Sequence, residues 1–433
     1  MPLTQATGLD ISLEMKTILV PILLLSVHAT ASDWPQYHGT NSDKTSVETI
    51  AAQSWGKPKQ LWKVDTPAGF SSFVVADGLS FTNVTRSIEG IDREVCLALD
   101  ATTGKEVWAV TLGLTRYGHD GGGRGAPGNK GTDGPRSTPA FGSGNLYVLD
   151  SDLTLFCLNA KTGKENWKHD LIKEFSGRKI KWKNAASPLI EGDHVYVAGG
   201  GGGESLLSFE KKTGKVAWKT GDHLMTHATP IATTIHGVRQ IIFFVQSGLV
   251  AVAPDNGKEL WNYPFPFQVS TAASPVASGD TVYCAAGYGV GSGAVKISKT
   301  DSGLEAKEIW RQEGNNPVTN HWATPLAKDG YLYGMFGFKE FGDGPVKCVE
   351  IATGEVVWEK RGFGPGNLVL AGETLVALSD TGELVLITAT PKAYEELARA
   401  KVIDGKCWST PVIANGRIYA RSTKEGVCIE LAK

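Results

Sequence analysis

Histidine, aromatic and basic side chains recur at one kind of position in this 433-residue chain, directly before short apolar segments introduced by Ser-Pro or Thr-Pro. These side chains favour an anionic or planar ligand, because a divalent cation such as Ca²⁺ requires oxygen donors and the recurring positions carry no carboxylate. The alternative is that they are ordinary strand-end residues in contact with water. A glycine-rich segment adds His119, Asp120 and Arg124. The candidate binding residues at the recurring positions are Arg136, Lys183, Asn184, His227, Thr271, His321, Trp322 and Trp408.

The spacing of the reactive residues does not indicate a hydrolase or a metal site. Neither paired carboxylates nor a Ser, His and Asp grouping can be assembled from spacing, so no hydrolase mechanism and no catalytic residue is assigned. No Cys-x-x-Cys occurs, and no metal-ligating residue is assigned. The formal charge of -2 gives no electrostatic reason to expect nucleic acid or an anionic membrane as a partner.

The six cysteines are interpreted as buried free thiols. Cys157, Cys348 and Cys428 occupy a repeated slot that elsewhere holds Ala or Ser, which indicates that the slot requires a small side chain in a packed sheet. Exported proteins often contain disulfides, so a bridge between Cys407 and Cys428 is the alternative.

The elements that must position these residues follow from one repeated phrase: an apolar run, Asp or Asn, Thr-Gly-Lys, and Trp four residues after the glycine. It is clearest at 97–108 and 156–167. Asp or Asn opens a turn through its side chain, Gly supplies a positive φ and an alternating strand follows, as in a β-hairpin. We interpret the tryptophans as packing between units rather than as cofactor contacts. The structural repeat residues are Gly104, Gly163, Gly214, Gly257, Gly354, Trp62, Trp108, Trp167, Trp218, Trp261, Trp310 and Trp358.

The repeats predict an all-β fold, an eight-bladed β-propeller with four-stranded antiparallel blades. Four short strands in about 40–50 residues are typical of one propeller blade. The last unit holds only three strands, whereas residues 60–64 form a strand that no blade precedes. We expect that strand to complete the last blade and close the ring, which removes a free sheet edge. Seven blades is the alternative if the weak seventh unit is misread.

Two segments depart from the repeat. In the seventh unit residues 390–399 replace the Thr-Gly-Lys turn, and Thr390 before Pro391 predicts a short surface helix with Thr as its N-cap. Between the first two units, residues 116–136 form a glycine-rich loop of a length that is uncommon unless functional or disordered. It leads into an innermost strand and can fold over the central channel; a flexible linker is the alternative.

The N-terminal residues are interpreted as an export signal. Lys16, the apolar run 18–27 and the small residues ending at Ala31 are typical of a signal peptide, and the run is too short to span a bilayer. A membrane anchor is the alternative. Trp34 is expected to pin the following segment to the propeller. The expected boundaries are a signal peptide over 1–31, translated from Met15, an extension over 32–59 and the propeller over 60–433.

In these phrases the sequence resembles the pyrroloquinoline-quinone-like β-propeller repeats of the quinoprotein alcohol dehydrogenase type. The resemblance rests on Asp/Asn-Ala-x-Thr-Gly-Lys-x-x-Trp at 100–108 and 159–167 and on the Ser/Thr-Pro strands, and it covers about residues 60–433. Asp33-Trp-Pro-Gln is a familiar opening of exported bacterial members. The family includes quinoprotein alcohol dehydrogenases, non-catalytic outer-membrane assembly propellers and exported members of unknown role.

The resemblance also implies what a cofactor site would contain. Dehydrogenases of this kind carry adjacent cysteines that form a ring disulfide over the quinone, a calcium ion held by Glu, Asn and Asp, and an aspartate base. This chain has no adjacent cysteines, and the predicted mouth offers Asn184 without an acidic partner. The lipid-accepting cysteine of the assembly lipoprotein is missing as well. No cofactor is therefore assigned, with pyrroloquinoline quinone and calcium as the alternative.

These observations lead to two expectations about function. The first is an exported, non-catalytic propeller, periplasmic or extracellular, that binds a protein or a polysaccharide on one face and has no nucleic-acid partner and no transmembrane segment after signal cleavage. The second is a divergent quinone- or calcium-dependent oxidoreductase acting on alcohols or sugars. The second requires a carboxylate close to Asn184.

Overall fold

The chain folds as a ring of β-sheets. The computed structural model describes residues 1–2, 32–50, 58–115, 134–337 and 342–431. Over these residues the chain forms eight antiparallel sheets with four propeller strands each, and one short helix. Neighbouring sheets contact each other through their innermost strands around a common axis. The prediction of an eight-bladed β-propeller is confirmed.

Each blade runs from an innermost strand beside the axis to an outermost strand. Two strands precede the first blade: β1 (Thr45–Ser46) and β2 (Gln60–Asp65). Blade 1 comprises β3 (Val74–Ala76), β4 (Leu79–Ile88), β5 (Ile91–Asp100) and β6 (Glu106–Leu114). Blade 2 comprises β7 (Ala140–Gly142), β8 (Asn145–Leu149), β9 (Thr154–Asn159) and β10 (Glu165–Asp170), and helix α1 (Leu171–Glu174) follows it. Blade 3 comprises β11 (Leu189–Glu191), β12 (His194–Ala198), β13 (Leu206–Glu210) and β14 (Val216–Thr220), and blade 4 comprises β15 (Ile231–Ile235), β16 (Val238–Val245), β17 (Gly248–Val252) and β18 (Glu259–Pro264).

The second half of the ring continues the same order. Blade 5 comprises β19 (Val276–Ser278), β20 (Thr281–Ala286), β21 (Gly291–Thr300) and β22 (Gly303–Glu313). Blade 6 comprises β23 (Leu326–Lys328), β24 (Tyr331–Met335), β25 (Val346–Glu350) and β26 (Val356–Lys360), and blade 7 comprises β27 (Asn367–Ala371), β28 (Thr374–Leu378), β29 (Glu383–Thr388) and β30 (Glu396–Lys401). Blade 8 contains β31 (Val412–Ala414), β32 (Arg417–Arg421) and β33 (Glu425–Glu430). Because successive strands are antiparallel, the connections into each innermost strand and those between second and third strands share one face, here called the upper face.

Strand β2 closes the ring as predicted, because it pairs with β33 as the outermost strand of blade 8. Arg421 reinforces this closure from inside. Its fully buried guanidinium donates to the Thr82 hydroxyl at 2.7 Å and to the carbonyl oxygens of Asn83 and Thr66 at 2.6 and 3.1 Å. Burial lowers the pKa of Arg421 to about 9. The last blade is thus held to the first by a cation whose hydrogen-bond acceptors, within the described part of the chain, are neutral oxygen atoms.

The tryptophan of the repeated phrase fastens each blade to the next. Trp108 lies opposite Ala98, where the strand register shifts by one residue. Its Nε1 donates to the carbonyl oxygen of Ala160 in blade 2 at 2.9 Å. The ring packs on Gly163, whose φ of +71° and a Cβ position 3.0 Å from the indole leave room only for glycine. The same indole bond to the following blade is made by Trp62, Trp167, Trp218, Trp310 and Trp358.

The small-residue slot that holds three of the cysteines lies directly opposite these tryptophans. Trp167 faces Cys157, Trp358 faces Cys348 and Trp62 faces Cys428. A larger side chain at the slot would displace the indole from its position against the next blade. All six cysteines are buried and free, which confirms the interpretation as free thiols.

The prediction of a helix over 390–399 is wrong. Residues 390–395 form an irregular turn, the outermost strand β30 begins at Glu396, and the carbonyl oxygen of Thr390 accepts the Trp358 indole at 2.9 Å. The segment therefore serves as the turn that receives the tryptophan of blade 6, and this pairing outweighs the local helix signal. Blade 7 carries Ala398 where other blades carry Trp, and Leu386 fills the slot opposite it.

Residues 32–48, here called the strap, occupy the axis. Trp34 is buried and exchanges two backbone hydrogen bonds with Val75 of blade 1, which confirms that it pins this segment to the propeller. Strand β1 lies parallel to β27 as a fifth strand of blade 7. Toward blades 4 and 5 the strap borders a cavity of about 50 Å³.

Further hydrogen bonds tie the strap to other blades. Burial lowers the pKa of His38 to about 3 and that of Lys44 to about 7, as expected for groups withdrawn from water. Four hydrogen bonds join the strap to blades other than 1 and 7, so that it bonds to six of the eight blades in all. They run from Phe141 N to Pro35 O (2.7 Å, blade 2), from Ile190 N to Gln36 Oε1 (2.9 Å, blade 3), from Lys44 Nζ to Thr324 O (2.5 Å, blade 6) and from Gly416 N to Glu48 Oε2 (2.8 Å, blade 8).

Candidate functional site

The Ser/Thr-Pro phrases form hydrogen bonds from blade to blade at the upper end of the axis. In each pair a backbone N–H donates to a hydroxyl of another blade; in blade 1 the position is taken by Ser72, which no proline follows. These bonds fix the connections that enter the innermost strands, which are the connections that carry the predicted binding residues. The pairs are Ser72 N with Thr138 Oγ1, Thr138 N with Ser187 Oγ, Ser187 N with Thr229 Oγ1, Ser274 N with Thr324 Oγ1 (each 2.9 Å) and Thr410 N with Ser72 Oγ (2.8 Å).

Two of the predicted binding residues hold one connection in place. The Arg136 guanidinium donates to the carbonyl oxygen of Trp182, and His227 Nε2 lies 2.9 Å from the carbonyl oxygen of Lys181. His227 Nδ1 lies 3.0 Å from the Ser270 hydroxyl. Burial lowers the pKa of His227 to about 4, and the Arg136 charge adds to this effect, so the imidazole is neutral at pH 7. Both side chains therefore position the segment around Trp182.

Six aromatic side chains form a contiguous row across the upper mouth of the axis, here called the rim. Trp182 stacks on Tyr288 with ring centroids 5.6 Å apart and planes 22° apart. The row continues through neighbouring pairs at centroid distances of 4.5–5.0 Å, and all but His321 are partly exposed. The rim consists of Trp182, Tyr288, His321, Trp322, Trp408 and Phe70, joined in this order.

The backbone at one end of the rim is strained. Trp182, Lys183 and Tyr288 have φ values of +64°, +57° and +59°, in the left-handed region that non-glycine residues rarely adopt. Such a conformation costs about 1–3 kcal/mol per residue and persists only where the surroundings impose it. The bonds from Arg136 and His227 hold the backbone at Trp182 and Lys181, and the Trp182 ring is stacked on Tyr288.

Asn184 is a structural residue in this arrangement. Its side chain is 1% exposed, its Oδ1 accepts from the backbone N–H of Ala186 at 2.9 Å, and its amide donates to the carbonyl oxygens of Ala186 and Asp150 at 3.0 and 3.3 Å. The Asp150 carboxyl lies nearby, but its Oδ1 accepts from the backbone N–H groups of Asp152 and Thr154. Burial, followed by the charge of Glu94, raises the pKa of Asp150 to about 7.

This donor set does not fit the calcium site that the family resemblance implies. The Asn184 oxygen and one Asp150 oxygen are already bonded to backbone N–H groups, and Asp152 binds Lys179 and Lys183 at 2.7 and 3.2 Å. Among the described residues no group of three His, Cys, Asp or Glu side chains is placed to hold a metal ion.

The spacing of His223 and His227 suits a zinc site in principle, but the two side chains have separate partners. His223 Nδ1 lies 3.0 Å from the Ser247 hydroxyl, whereas both nitrogens of His227 are engaged as described above.

The structure brings most of the predicted binding residues to one mouth. Arg136, Lys183, His227, His321, Trp322 and Trp408 lie in or beside the rim, whereas His119, Asp120 and Arg124 fall outside the described residues. Sequence reasoning missed Trp182, Tyr288 and Phe70. Trp182 precedes two predicted residues, and Tyr288 lies between glycines in a connection that strand counting places on the upper face.

The fold and the rim define the class of protein. It is a closed propeller in which a tryptophan of the repeat bonds to the next blade. The strap lies at the axis, and aromatic rings line the upper mouth. The chain belongs to the PQQ-like repeat family, through a family model described as outer membrane protein assembly factor BamB that matches residues 91–333 and 342–432. The family resemblance in the repeated phrases is thereby confirmed.

The proteins similar to this chain include assembly factors and quinoprotein dehydrogenases. Outer membrane protein assembly factor BamB of Shewanella oneidensis is 25% identical over 57% of this chain and 62% of its own length. Quinoprotein ethanol dehydrogenase of Pseudomonas aeruginosa is 34% identical over 30% of this chain and 23% of its own length. The crystal structure of quinohemoprotein alcohol dehydrogenase from Comamonas testosteroni matches with a TM-score of 0.66 at 15% identity, over 94% of this chain and 81% of that one, which shows the fold alone.

Within residues 32–50, 58–115, 134–337 and 342–431, no helix is long and apolar enough to cross a membrane.

Proposed function

We propose that this protein is an exported, non-catalytic scaffold that binds a partner at its upper mouth. The observation that carries the proposal is the strap at the axis, which bonds to six of the eight blades. A partner then meets the rim, whose half-buried aromatic rings are of the types that dominate binding energy at protein interfaces. The family match to an assembly factor supports the same direction.

Export is part of this proposal and rests on the signal-peptide pattern over residues 1–31. The expected mature chain begins with the extension over 32–59 and continues as the propeller over 60–433. N-terminal sequencing of the protein secreted by its host tests this: a mature N-terminus at Ser32 supports the proposal, and a retained N-terminus at Met1 or Met15 contradicts it.

A site-specific photo-crosslinker tests the binding face in the living host. We choose position 181, exposed beside Trp182 on the upper face, and position 105, an equally exposed lysine in a turn on the opposite face. The proposal predicts a discrete crosslinked product from position 181 and none from position 105. Equal products from both positions, or a product from position 105 alone, would contradict it.

A quinone-dependent oxidoreductase is the second candidate, favoured by the aromatic rim beside Arg136, which suits a planar anion. Titration with pyrroloquinoline quinone, with and without Ca²⁺, read by tryptophan fluorescence and a dye-linked dehydrogenase assay, separates the two. The scaffold proposal predicts no Ca²⁺-dependent quenching and no turnover of alcohols or sugars. Calcium-dependent quenching with turnover would replace it with the second candidate.

A further inference from the structure

The connection between β10 and β11 is strongly basic although the chain as a whole is not. Residues 171–188 contain five lysine or arginine residues and one glutamate, whereas the whole chain has a formal charge of -2. Asp152 binds two of these lysines from the neighbouring blade. Arg178 and Lys181 are exposed at the surface. The excess positive charge is therefore local to one side of the rim.

A second cationic contact lies at the other end of the rim. The Lys181 ammonium stands 5.1 Å from the Trp182 ring centroid, and the Lys406 ammonium stands 4.5 Å from that of Trp408. Both distances are within the range in which a cation is attracted to the negative face of an aromatic ring. The rim is thus flanked by ammonium groups at both ends.

Several rings of the rim turn one face toward a neighbouring ring. Tyr288 stacks on Trp182, and Trp322 lies against Trp408 at a centroid distance of 4.5 Å. An aromatic ring carries negative charge on its faces and positive charge at its edges. With faces turned toward other rings or capped by lysines, the rim offers a partner positive ring edges and ammonium groups.

This geometry discriminates between classes of anionic partner. Single-stranded nucleic acid binds by stacking its bases on open aromatic faces, and sugar rings likewise pack flat on such faces. Carboxylate side chains need only the ring edges and the cations, and the apolar positions of a polypeptide can occupy the spaces between tilted rings. Because the Trp182 and Tyr288 rings are already stacked on each other, little side-chain freedom is lost on binding.

From this charge complementarity we infer that the rim binds an acidic polypeptide segment, rich in Asp and Glu, of a partner protein. The inference rests on the proposed scaffold function and names the chemistry of its partner. It makes Lys181 and Lys406 specificity-determining residues, since they supply the charge at the two ends of the rim.

Fluorescence anisotropy with a labelled peptide of alternating Glu and Gly tests the inference on the mature full-length chain. The expected result is saturable binding that weakens with rising salt. Binding should be lost with the matching Gln/Gly peptide. The double variant Lys181→Glu with Lys406→Glu should weaken binding about tenfold or more. Lys105→Glu, on the opposite face, is the matched control and should change affinity less than about twofold. Circular dichroism of each variant establishes that the fold is retained.

Three results would overturn the inference: no saturable binding, equal binding of oligogalacturonate or oligo-dT, or equal weakening by Lys105→Glu. The photo-crosslinking experiment keeps this failure separate from failure of the proposed function. A crosslink from position 181 combined with no affinity for the acidic peptide would leave the scaffold in place and remove only the acidic partner.

Discussion

The perimeter of this propeller is held by repeated contacts, whereas the strap and the rim at its axis make contacts that occur once. At the perimeter, a tryptophan, a glycine and a small residue opposite the tryptophan recur from blade to blade, and the same indole-to-carbonyl bond joins six pairs of neighbours. At the axis the strap and the rim follow no repeat. The strap bonds to six of the eight blades through side chains and backbone groups without a common pattern, and the rim is assembled from connections of unequal length.

The difference shows where stability and function are placed in such a ring. A repeated contact can be lost at one blade while its copies remain, so perimeter substitutions should be tolerated individually. The strap and the rim each occur once in the ring. The following predictions use this contrast, beginning with the largest effect.

Trp34→Ala should destabilise the protein by about 3–5 kcal/mol, because it removes a large buried side chain from the core cluster at the axis. Urea unfolding of the mature chain measures the change. Val47→Ala, in the same segment but 66% exposed, is the control and should cost less than about 0.5 kcal/mol. A cost of Trp34→Ala below that of the perimeter substitutions would break the contrast between the two regions.

Gly163→Ala should cost about 2–4 kcal/mol, because its φ is +71° and the new methyl group would lie 2.8 Å from Val110 and 3.0 Å from the Trp108 ring. Gly144→Ala, with φ +76° and no atom within 4 Å of its Cβ, isolates the backbone strain and should cost about 1 kcal/mol. Thermal unfolding of both variants separates strain from packing. Equal costs would mean that the glycine serves the turn alone.

Asp150→Asn should change how stability depends on pH. Its folded pKa of about 7 lies above the ordinary value of 3.8, so the folded state binds the extra proton and Asp150 disfavours folding increasingly as pH rises from about 4 through 7. The Asn variant should therefore gain about 2 kcal/mol relative to the wild type between about pH 5 and pH 8. Urea midpoints at both pH values check this. A pH-independent difference would show that the burial and the Glu94 charge do not act on this carboxyl.

Trp218→Phe should cost only about 0.5–1 kcal/mol. The phenyl ring keeps much of the packing, and the Pro254 carbonyl oxygen that loses the indole still accepts the Tyr196 hydroxyl at 3.0 Å. Chemical denaturation of the variant and the wild type measures this loss in the free energy of unfolding. A cost as large as that of Trp34→Ala would show that the perimeter contacts act cooperatively rather than as independent copies.

The perimeter could be predicted from the sequence because its signals are local. The Thr-Gly-Lys-x-x-Trp phrase contains both the turn and the tryptophan that bonds to the following blade. The unpaired strand before the first blade predicted ring closure. The helix predicted over 390–399 failed because a local N-cap signal competed with the need for an outermost strand, which only the assembled ring imposes.

The axis could be predicted only in part. Residues directly before the Ser/Thr-Pro phrases, such as Trp322 and Trp408, were found because the repeat marks their position. Tyr288 was missed because it lies between the second and third strands of its blade, outside the repeated slot. The path of the strap depends on backbone contacts with blades far away in sequence, and only the anchoring role of Trp34 could be inferred.

The account depends most on the strap filling the axis, and hydrogen–deuterium exchange of the mature protein tests this directly. The amides of Trp34 and Lys44 donate to the carbonyl oxygens of Val75 and His38, both at 2.8 Å. We predict that peptides covering residues 34–46 exchange as slowly as the buried strand Thr281–Ala286. Complete exchange of residues 34–46 at the earliest time, with the blades still protected, would show an open axis and contradict the account.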